Sequence, residues 1–198
     1  MVFWIEYKKV IHTYEKKYYL PHRATIPAGK NLPEDFNVII EIPANGAPIK
    51  YELDKESGAM IVDRFLHTSM VYPGNYGFIP HTLSGDGDPV DVLIITRQAV
   101  MPGAIMRAIP VGVLLMEDDA GVDEKIIAVP HPKLYPYHDN VTDIEHIRPI
   151  LRDKIAHFFT HYKDLEPNKW SKVLGWGNAE KAAQLIEEGL ARFQKTKA

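Results

Sequence analysis

The hydrophobic pattern of this chain changes its period near Pro149, and that change limits the folds open to it. Before that point, short β-branched or alternating segments separated by Pro and Gly predict strands at 36–42, 49–54, 60–65, 90–96, 108–116 and 125–129. After it, apolar residues recur at helical spacing as far as Leu165, and Asn178 is a candidate N-cap for a second helix. Strands followed by helices predict an α+β fold, and many short strands predict a closed or sandwiched β core.

Size and charge narrow the class of protein further. The 198 residues, 45% hydrophobic and 25% charged, suit one globular domain better than two. A formal net charge of -3 gives no field that would attract nucleic acid or an anionic membrane, so we expect neither as a partner. The absence of cysteine excludes disulfides and thiol catalysis. The apolar stretch at 2–5 is too short for a signal-peptide core or a membrane span, which predicts a cytoplasmic protein.

Residues 1–26 form a distinct opening segment in which basic and aromatic residues alternate. The pattern fits neither a helix nor a strand. One interpretation is an arm that contacts nucleic acid or a neighbouring subunit, and the other is a flexible extension. We favour the flexible extension because chain termini are commonly disordered. The expected division is therefore an N-terminal extension at 1–26 and a single domain at 27–198.

Two acidic segments are the most informative part of the sequence. Asp86, Asp88 and Asp91 lie around the start of the predicted strand 90–96, and the loop 117–124 carries a second acidic group. Carboxylates packed this closely repel one another unless cations intervene, and oxygen ligands favour hard cations such as Mg²⁺, Ca²⁺ or Mn²⁺. Either segment could instead be a solvated turn, because Asp, Gly and Pro are common turn residues. The metal hypothesis requires that both segments meet at one end of the sheet.

Other metal and nucleotide motifs fit poorly. Counted from Asp86, the glycine and glutamate places of a calcium-binding EF-hand loop fall on Asp91 and Arg97. The chain has no phosphate-binding P-loop and no HExxH zinc motif. His157 and His161 lie four residues apart on the first predicted helix, but helix-surface pairing or a subunit contact is favoured over a shared zinc ion.

An ordered series of motifs matches one known family. The segments DGDPVDV, VIIEIPANGAPIKYELDKESG, VDRF, YPGNYGFIPHT, PVGVLLMEDDAG, AVPH and HFFTHYKDLE resemble the family I soluble inorganic pyrophosphatases of the bacterial type. The resemblance covers approximately residues 27–195 and is far more specific than any single DxD motif. It departs from the family pattern at Asp119 and Val122, where glutamates are expected.

The resemblance implies a compact closed β barrel (OB-like) flanked by two C-terminal helices. It implies hydrolysis of inorganic diphosphate to two phosphates by metal-activated water, with Mg²⁺ as cofactor, Mn²⁺ as a substitute and Ca²⁺ as an inhibitor. Asp88 would be the general base. The metal ligands would be Asp86, Asp91, Asp118, Asp123, Glu41 and Glu52. The phosphate contacts would be Lys50, Arg64, Tyr76, Lys125, Tyr162 and Lys163. Assembly into a homohexamer, a dimer of trimers, is also implied.

Three other functions remain open from the residues alone. A metal-dependent transferase could use DxD to hold a nucleotide diphosphate, but no glycine-rich turn joins a strand to a helix. A nonenzymatic barrel could bind oligonucleotides, although the net charge opposes this. A calcium-binding structural protein would gain stability from Ca²⁺ without turnover. Diphosphate hydrolysis with Mg²⁺ separates all three from the favoured prediction.

Overall fold

The architecture is taken from a computed structural model that describes residues 26–55 and 57–196. The proposed extension at 1–26 therefore lies outside the described residues except for its last position. The described residues form two α-helices: α1 spans Pro149–His161 and α2 spans Ala179–Lys195. Short 3-10 turns lie at Pro136–His138 and Ile144–His146. The strands are β1 Gly29–Asn31, β2 Asp35–Ile42, β3 Ile49–Leu53, β4 Met60–Phe65, β5 Asn75–Phe78, β6 Asp91–Ile94, β7 Ile105–Asp118, β8 Gly121–Val122, β9 Lys125–Pro130 and β10 Ser171–Gly177.

Hydrogen bonding closes five of the strands into a ring. The order is β2-β5-β6-β9-β7, and the pairing of β7 with β2 closes the ring. All of these pairings are antiparallel except β6 with β9, which is parallel. Strands β1, β8 and β10 attach to this ring, and β3 with β4 forms a separate two-stranded sheet. The predicted α+β class, mostly sheet with two helices, is confirmed.

Alternation along the strands separates two apolar clusters. Val92 and Ile94 pack with α2 side chains such as Ile186, whereas Leu93 between them packs in the cluster that contains Phe158 of α1. The period-two pattern of a strand that is buried on both faces produces this division. The two helices therefore cover different apolar clusters of the sheet.

Local sequence signals predicted the start of α2 correctly but not the end of α1. Asn178 caps α2 as predicted, because its side chain accepts a hydrogen bond from the Lys181 backbone N–H at 2.9 Å. The apolar repeat that extends to Leu165 overestimates α1, which ends at His161. The chain then turns, and this turn carries Tyr162 and Lys163 against the sheet, where both are buried. No helix in the part of the chain that the structure describes is long and apolar enough to cross a membrane.

Candidate active site

Strand pairing brings the two acidic segments to one edge of the ring. Parallel pairing places Val92 opposite Ile126, so the residues just before them, Asp91 and Lys125, lie at the same end of their strands. Strand β7 runs antiparallel to β9, so its final residue Asp118 reaches that same end. The convergence that the metal hypothesis required is therefore present for these residues.

Lys125 is the centre of the buried part of the site. Its ammonium donates to Asp91 Oδ2 at 2.6 Å and also to Asp123 Oδ1, and the residue is 3% exposed. Burial alone would lower the pKa of Lys125, but the attraction of the two carboxylates outweighs it and raises the pKa well above its ordinary value.

The two carboxylates carry more negative charge than one lysine compensates. Burial raises the pKa of Asp123 in spite of the Lys125 contact, and repulsion from Asp91 and Asp118 adds to that increase. Two carboxylates around one ammonium leave a net charge of about −1 in a poorly hydrated place. The pair therefore has the electrostatic requirement and the oxygen chemistry of a site for a hard divalent cation.

Asp118 forms a second buried ion pair beside the first. Lys163 donates to Asp118 Oδ2 at 2.6 Å, and the Ala120 backbone N–H donates to Asp118 Oδ1 at 2.7 Å. Burial tends to raise the pKa of Asp118, but these two hydrogen bonds outweigh it and hold the pKa below its usual value. Lys163 also lies 3.5 Å from Asp119. The turn after α1 is thus tied to the β7 end of the site.

Two tyrosines line the site with neutral hydroxyl groups. The Lys125 Nζ lies 5.7 Å from the ring centre of Tyr76, and the Lys163 Nζ lies 5.5 Å from that of Tyr162. Burial is the largest cause of the raised pKa of both tyrosines. Because they stay protonated at neutral pH, both can donate a hydrogen bond to an anionic ligand.

The separate β3 and β4 sheet supplies two further cations. Lys50 and Arg64 are register partners, and Asp63 Oδ2 lies 3.4 Å from Lys50 Nζ and 2.9 Å from Arg64 Nε. Lys50 also contacts Glu52. Burial would lower the pKa of Lys50, but its contacts with Glu52 and Asp63 outweigh burial and raise it. Both cations are thus held in fixed positions by carboxylates.

Glu41 joins this small sheet to the ring. It lies in β2, is largely buried, and its Oε1 accepts a hydrogen bond from the Leu53 backbone N–H at 2.9 Å. The Glu41 side chain therefore fixes the end of β3, which carries Lys50 and Glu52, against the ring.

Asp86 and Asp88 lie in an exposed turn shortly before β6. Asp86 Oδ1 accepts a hydrogen bond from the Asp88 backbone N–H at 2.9 Å, as in a tight turn. The Asp88 side chain is 71% exposed and contacts Lys55 Nζ at 2.6 Å. Among the described ion pairs, no lysine or arginine bridges Asp86 or Asp88 to Asp91 and Asp123, as Lys125 bridges the latter two to each other. The turn that carries Asp86 and Asp88 is therefore close to Asp91 in sequence without being tied to Asp91 and Asp123 by an ion pair.

The arrangement of carboxylates can be compared with the predicted metal ligands. Within residues 26–55 and 57–196, no three His, Asp or Glu side chains are close enough to hold one ion together. Most of the predicted acidic ligands are instead paired with lysine, as Asp91, Asp118 and Asp123 are. The donor set still fits Mg²⁺, since it is built from oxygen atoms and retains uncompensated negative charge.

Sequence reasoning missed several residues of the site. Asp63 bridges Lys50 and Arg64, and Lys55 pairs with Asp88. Asp63 could have been found from its place in the VDRF motif beside Arg64. Glu166 pairs with Arg64 from 102 positions away, and no local pattern signals such a contact. The His161 Nδ1 lies 2.7 Å from Asp164 Oδ2, just beyond the end of α1, so the expected pairing with a nearby carboxylate is present for His161 and stays a prediction for His157.

Comparisons with known proteins agree on one family. The sequence profile of the family described as inorganic pyrophosphatase matches residues 38–194. An inorganic pyrophosphatase of Rhodospirillum rubrum is 65% identical over 166 residues, which cover 84% of this chain and 93% of the relative. An inorganic pyrophosphatase of Escherichia coli is 58% identical over 172 residues, covering 87% of this chain and 96% of the relative.

Solved structures give the same result. The structure of an inorganic pyrophosphatase from Coxiella burnetii superposes with a TM-score of 0.82 at 52% identity, covering 85% of this chain and 99% of that chain. That of Thermus thermophilus has a TM-score of 0.84 at 38% identity, covering 88% and 99%. With the profile match and these identities, the chain belongs to the bacterial, soluble family I inorganic pyrophosphatases.

Proposed function

We propose that this protein, an inorganic diphosphatase by family, hydrolyses inorganic diphosphate to two phosphates in a Mg²⁺-dependent reaction. The observation that carries the proposal is the half-buried pair of Asp91 and Asp123, which the buried Lys125 compensates only in part. An excess of carboxylate beside fixed lysine and arginine side chains suits divalent cations together with a small polyanion. The divalent cations would offset the charge of the carboxylates, and the polyanion would offset the charge of the lysine and arginine side chains.

The cations and hydroxyl groups are assigned to the phosphates. Arg64 offers a planar group that can bind two phosphate oxygens, whereas lysines act as point charges. The tyrosine hydroxyls donate hydrogen bonds without adding charge. Transfer of a phosphoryl group to water depends mainly on position and electrostatic stabilisation, which these fixed side chains supply. The residues assigned to substrate are Lys50, Arg64, Tyr76, Lys125, Tyr162 and Lys163.

The carboxylates are assigned to Mg²⁺. Bound there, Mg²⁺ would neutralise phosphate charge and lower the pKa of a coordinated water molecule. Mn²⁺ should substitute because it accepts the same oxygen ligands, and Ca²⁺ should inhibit. The residues assigned to the metal are Asp86, Asp91, Asp118 and Asp123, with Glu41 and Glu52 at the rim.

Asp88 is assigned as the general base that accepts a proton from the attacking water. Its side chain is 71% exposed, so its removal should leave the ion pairs of Lys125 and Lys163 intact. We expect Asp88→Asn to retain Mg²⁺ binding and to lose turnover by about 10²-fold to 10⁴-fold, as removal of a general base does. Calorimetric Mg²⁺ titration and phosphate release measure the two properties separately. Normal turnover by this variant would refute the role of Asp88.

Phosphate release from diphosphate, measured with Mg²⁺ present and again after chelation, tests the reaction and the cofactor together. We expect release that stops on chelation and returns when Mg²⁺ is restored. A nucleotide sugar assayed in parallel tests the transferase alternative. Turnover of the nucleotide sugar without diphosphate hydrolysis would overturn the proposal.

The remaining architectural assignments are part of the same proposal. We infer that residues 27–198 form one domain. We also infer that the five-stranded ring is an OB-like barrel, since its last strand β7 pairs with its first strand β2. We also propose a cytoplasmic homohexamer, a dimer of trimers. Sedimentation equilibrium of the full chain tests the assembly, and a monomer at micromolar concentration would contradict it.

A further inference from the structure

Glu166 joins the turn after α1 to strand β4. Its Oε2 accepts a hydrogen bond from Arg64 Nη1 at 2.6 Å. Its own backbone N–H donates to the Lys163 carbonyl at 2.8 Å. One residue therefore fixes Arg64 relative to Lys163, although these two cations belong to distant parts of the chain.

The burial of Glu166 points to a role beyond folding. Its side chain is 8% exposed, and its Oε1 is buried with no hydrogen-bond partner among the described residues. A buried carboxylate oxygen without a donor costs free energy, and buried polar atoms are paired in the great majority of cases. A side chain that served only the fold would be less costly as an apolar residue. The contact with Arg64 is the interaction that offsets this cost.

The guanidinium of Arg64 is held on two sides. Its Nε donates to Asp63 Oδ2 at 2.9 Å and its Nη1 donates to Glu166 Oε2 at 2.6 Å. Its Nη2 makes no hydrogen bond to any residue that the structure describes, and the Arg64 side chain is 33% exposed. Because the guanidinium is planar, fixing two of its nitrogens fixes the direction of the remaining N–H donors.

We propose that Glu166 is a positioning residue for diphosphate hydrolysis. It orients the Arg64 guanidinium so that the unpaired N–H donors face a phosphate group held beside Lys163. The inference rests on the proposed function, and it assigns Glu166 no contact with the substrate. The effect of Glu166 on hydrolysis depends on Arg64 alone, so an experiment can distinguish this effect from a general loss of stability.

A double-mutant cycle tests this inference. Glu166→Gln keeps the size of the side chain but removes its charge, and Arg64→Ala removes the group on which it acts. We expect Glu166→Gln to lower kcat/KM for diphosphate about tenfold, because a charge-assisted hydrogen bond becomes a neutral one. In the Arg64→Ala background the same substitution should lower kcat/KM less than about twofold, since residues that act as a unit are not additive.

A matched control is available on the surface. Glu145 pairs with Arg152 at 2.8 Å away from the described site, so Glu145→Gln should leave kcat/KM unchanged. Binding of inorganic phosphate, measured by calorimetry, gives a readout besides turnover and should weaken in Glu166→Gln but not in Glu145→Gln.

The outcomes distinguish this inference from the proposed function. An unmodified protein that fails to hydrolyse diphosphate would overturn both. An active unmodified protein with an unchanged Glu166→Gln variant would overturn the inference alone. Equal losses of kcat/KM in the two backgrounds would also overturn it, because Glu166 would then act independently of Arg64.

Discussion

Replacement of the buried Lys125 by Met tests whether two half-buried carboxylates depend on one compensating cation. Methionine has similar length and no charge, so the substitution changes mainly the electrostatics. Removing one partner of a buried ion pair costs about 3–5 kcal/mol. Asp91 is 28% exposed and retains some hydration, which favours the lower end, about 3 kcal/mol. For a chain of this size the melting temperature should fall by about 6–12 °C.

Mg²⁺ should reverse much of this loss if the carboxylates bind it. A ligand at one hundred times its dissociation constant stabilises the folded state by about 2.7 kcal/mol. In the unmodified protein Mg²⁺ competes with Lys125 for Asp91 and Asp123, so its stabilising effect should be smaller there. We therefore expect the free energy of unfolding to rise more with Mg²⁺ in Lys125→Met than in the unmodified protein.

Urea unfolding with a chelator and with excess Mg²⁺ measures both quantities. Lys172→Met is the matched control, because Lys172 is 66% exposed and its contact with Glu117 is 3.4 Å long. That control should change stability by less than about 0.5 kcal/mol. A loss below about 1 kcal/mol in Lys125→Met, or an equal Mg²⁺ effect in both proteins, would refute the electrostatic reasoning.

Two further predictions concern stability. The Arg107 hydrogen bond holds the pKa of Asp35 below its usual value, so this contact stabilises the fold above about pH 4 and is lost as pH falls through the lowered pKa. Asp35→Asn should therefore be less stable than the unmodified protein at pH 6, with a difference that shrinks in urea titrations towards pH 2; a constant difference would contradict this. Gly77→Ala should destabilise by about 3 kcal/mol, because a Cβ there would lie 1.9 Å from the Ile39 carbonyl oxygen. Gly85→Ala has open space around it and should be nearly neutral in the same thermal melts, whereas equal melting temperatures for both variants would rule out the steric argument.

The local hydrophobic pattern was sufficient to predict the strands and helices that have a regular period. All six predicted strands are present, and β2, β3 and β4 begin and end within a residue of their predicted bounds. Strands β1, β5, β8 and β10 escaped prediction, because the first three have four residues or fewer and β10 includes two glycines, which weaken the strand signal. The end of α1 was overestimated because apolar spacing continues into the turn that follows the helix.

Six of the ten described strands, the spacing of the carboxylates and the cap at Asn178 follow from the sequence alone, whereas the position of β10 between the two helices does not. These depend on residues a few positions apart, so the chain displays them directly. The three-dimensional fold adds the parallel pairing of β6 with β9, which places Asp91 beside Lys125, and the contact of Glu166 with Arg64. Such pairings depend on strand register and burial across long separations of sequence, and no local repeat encodes them.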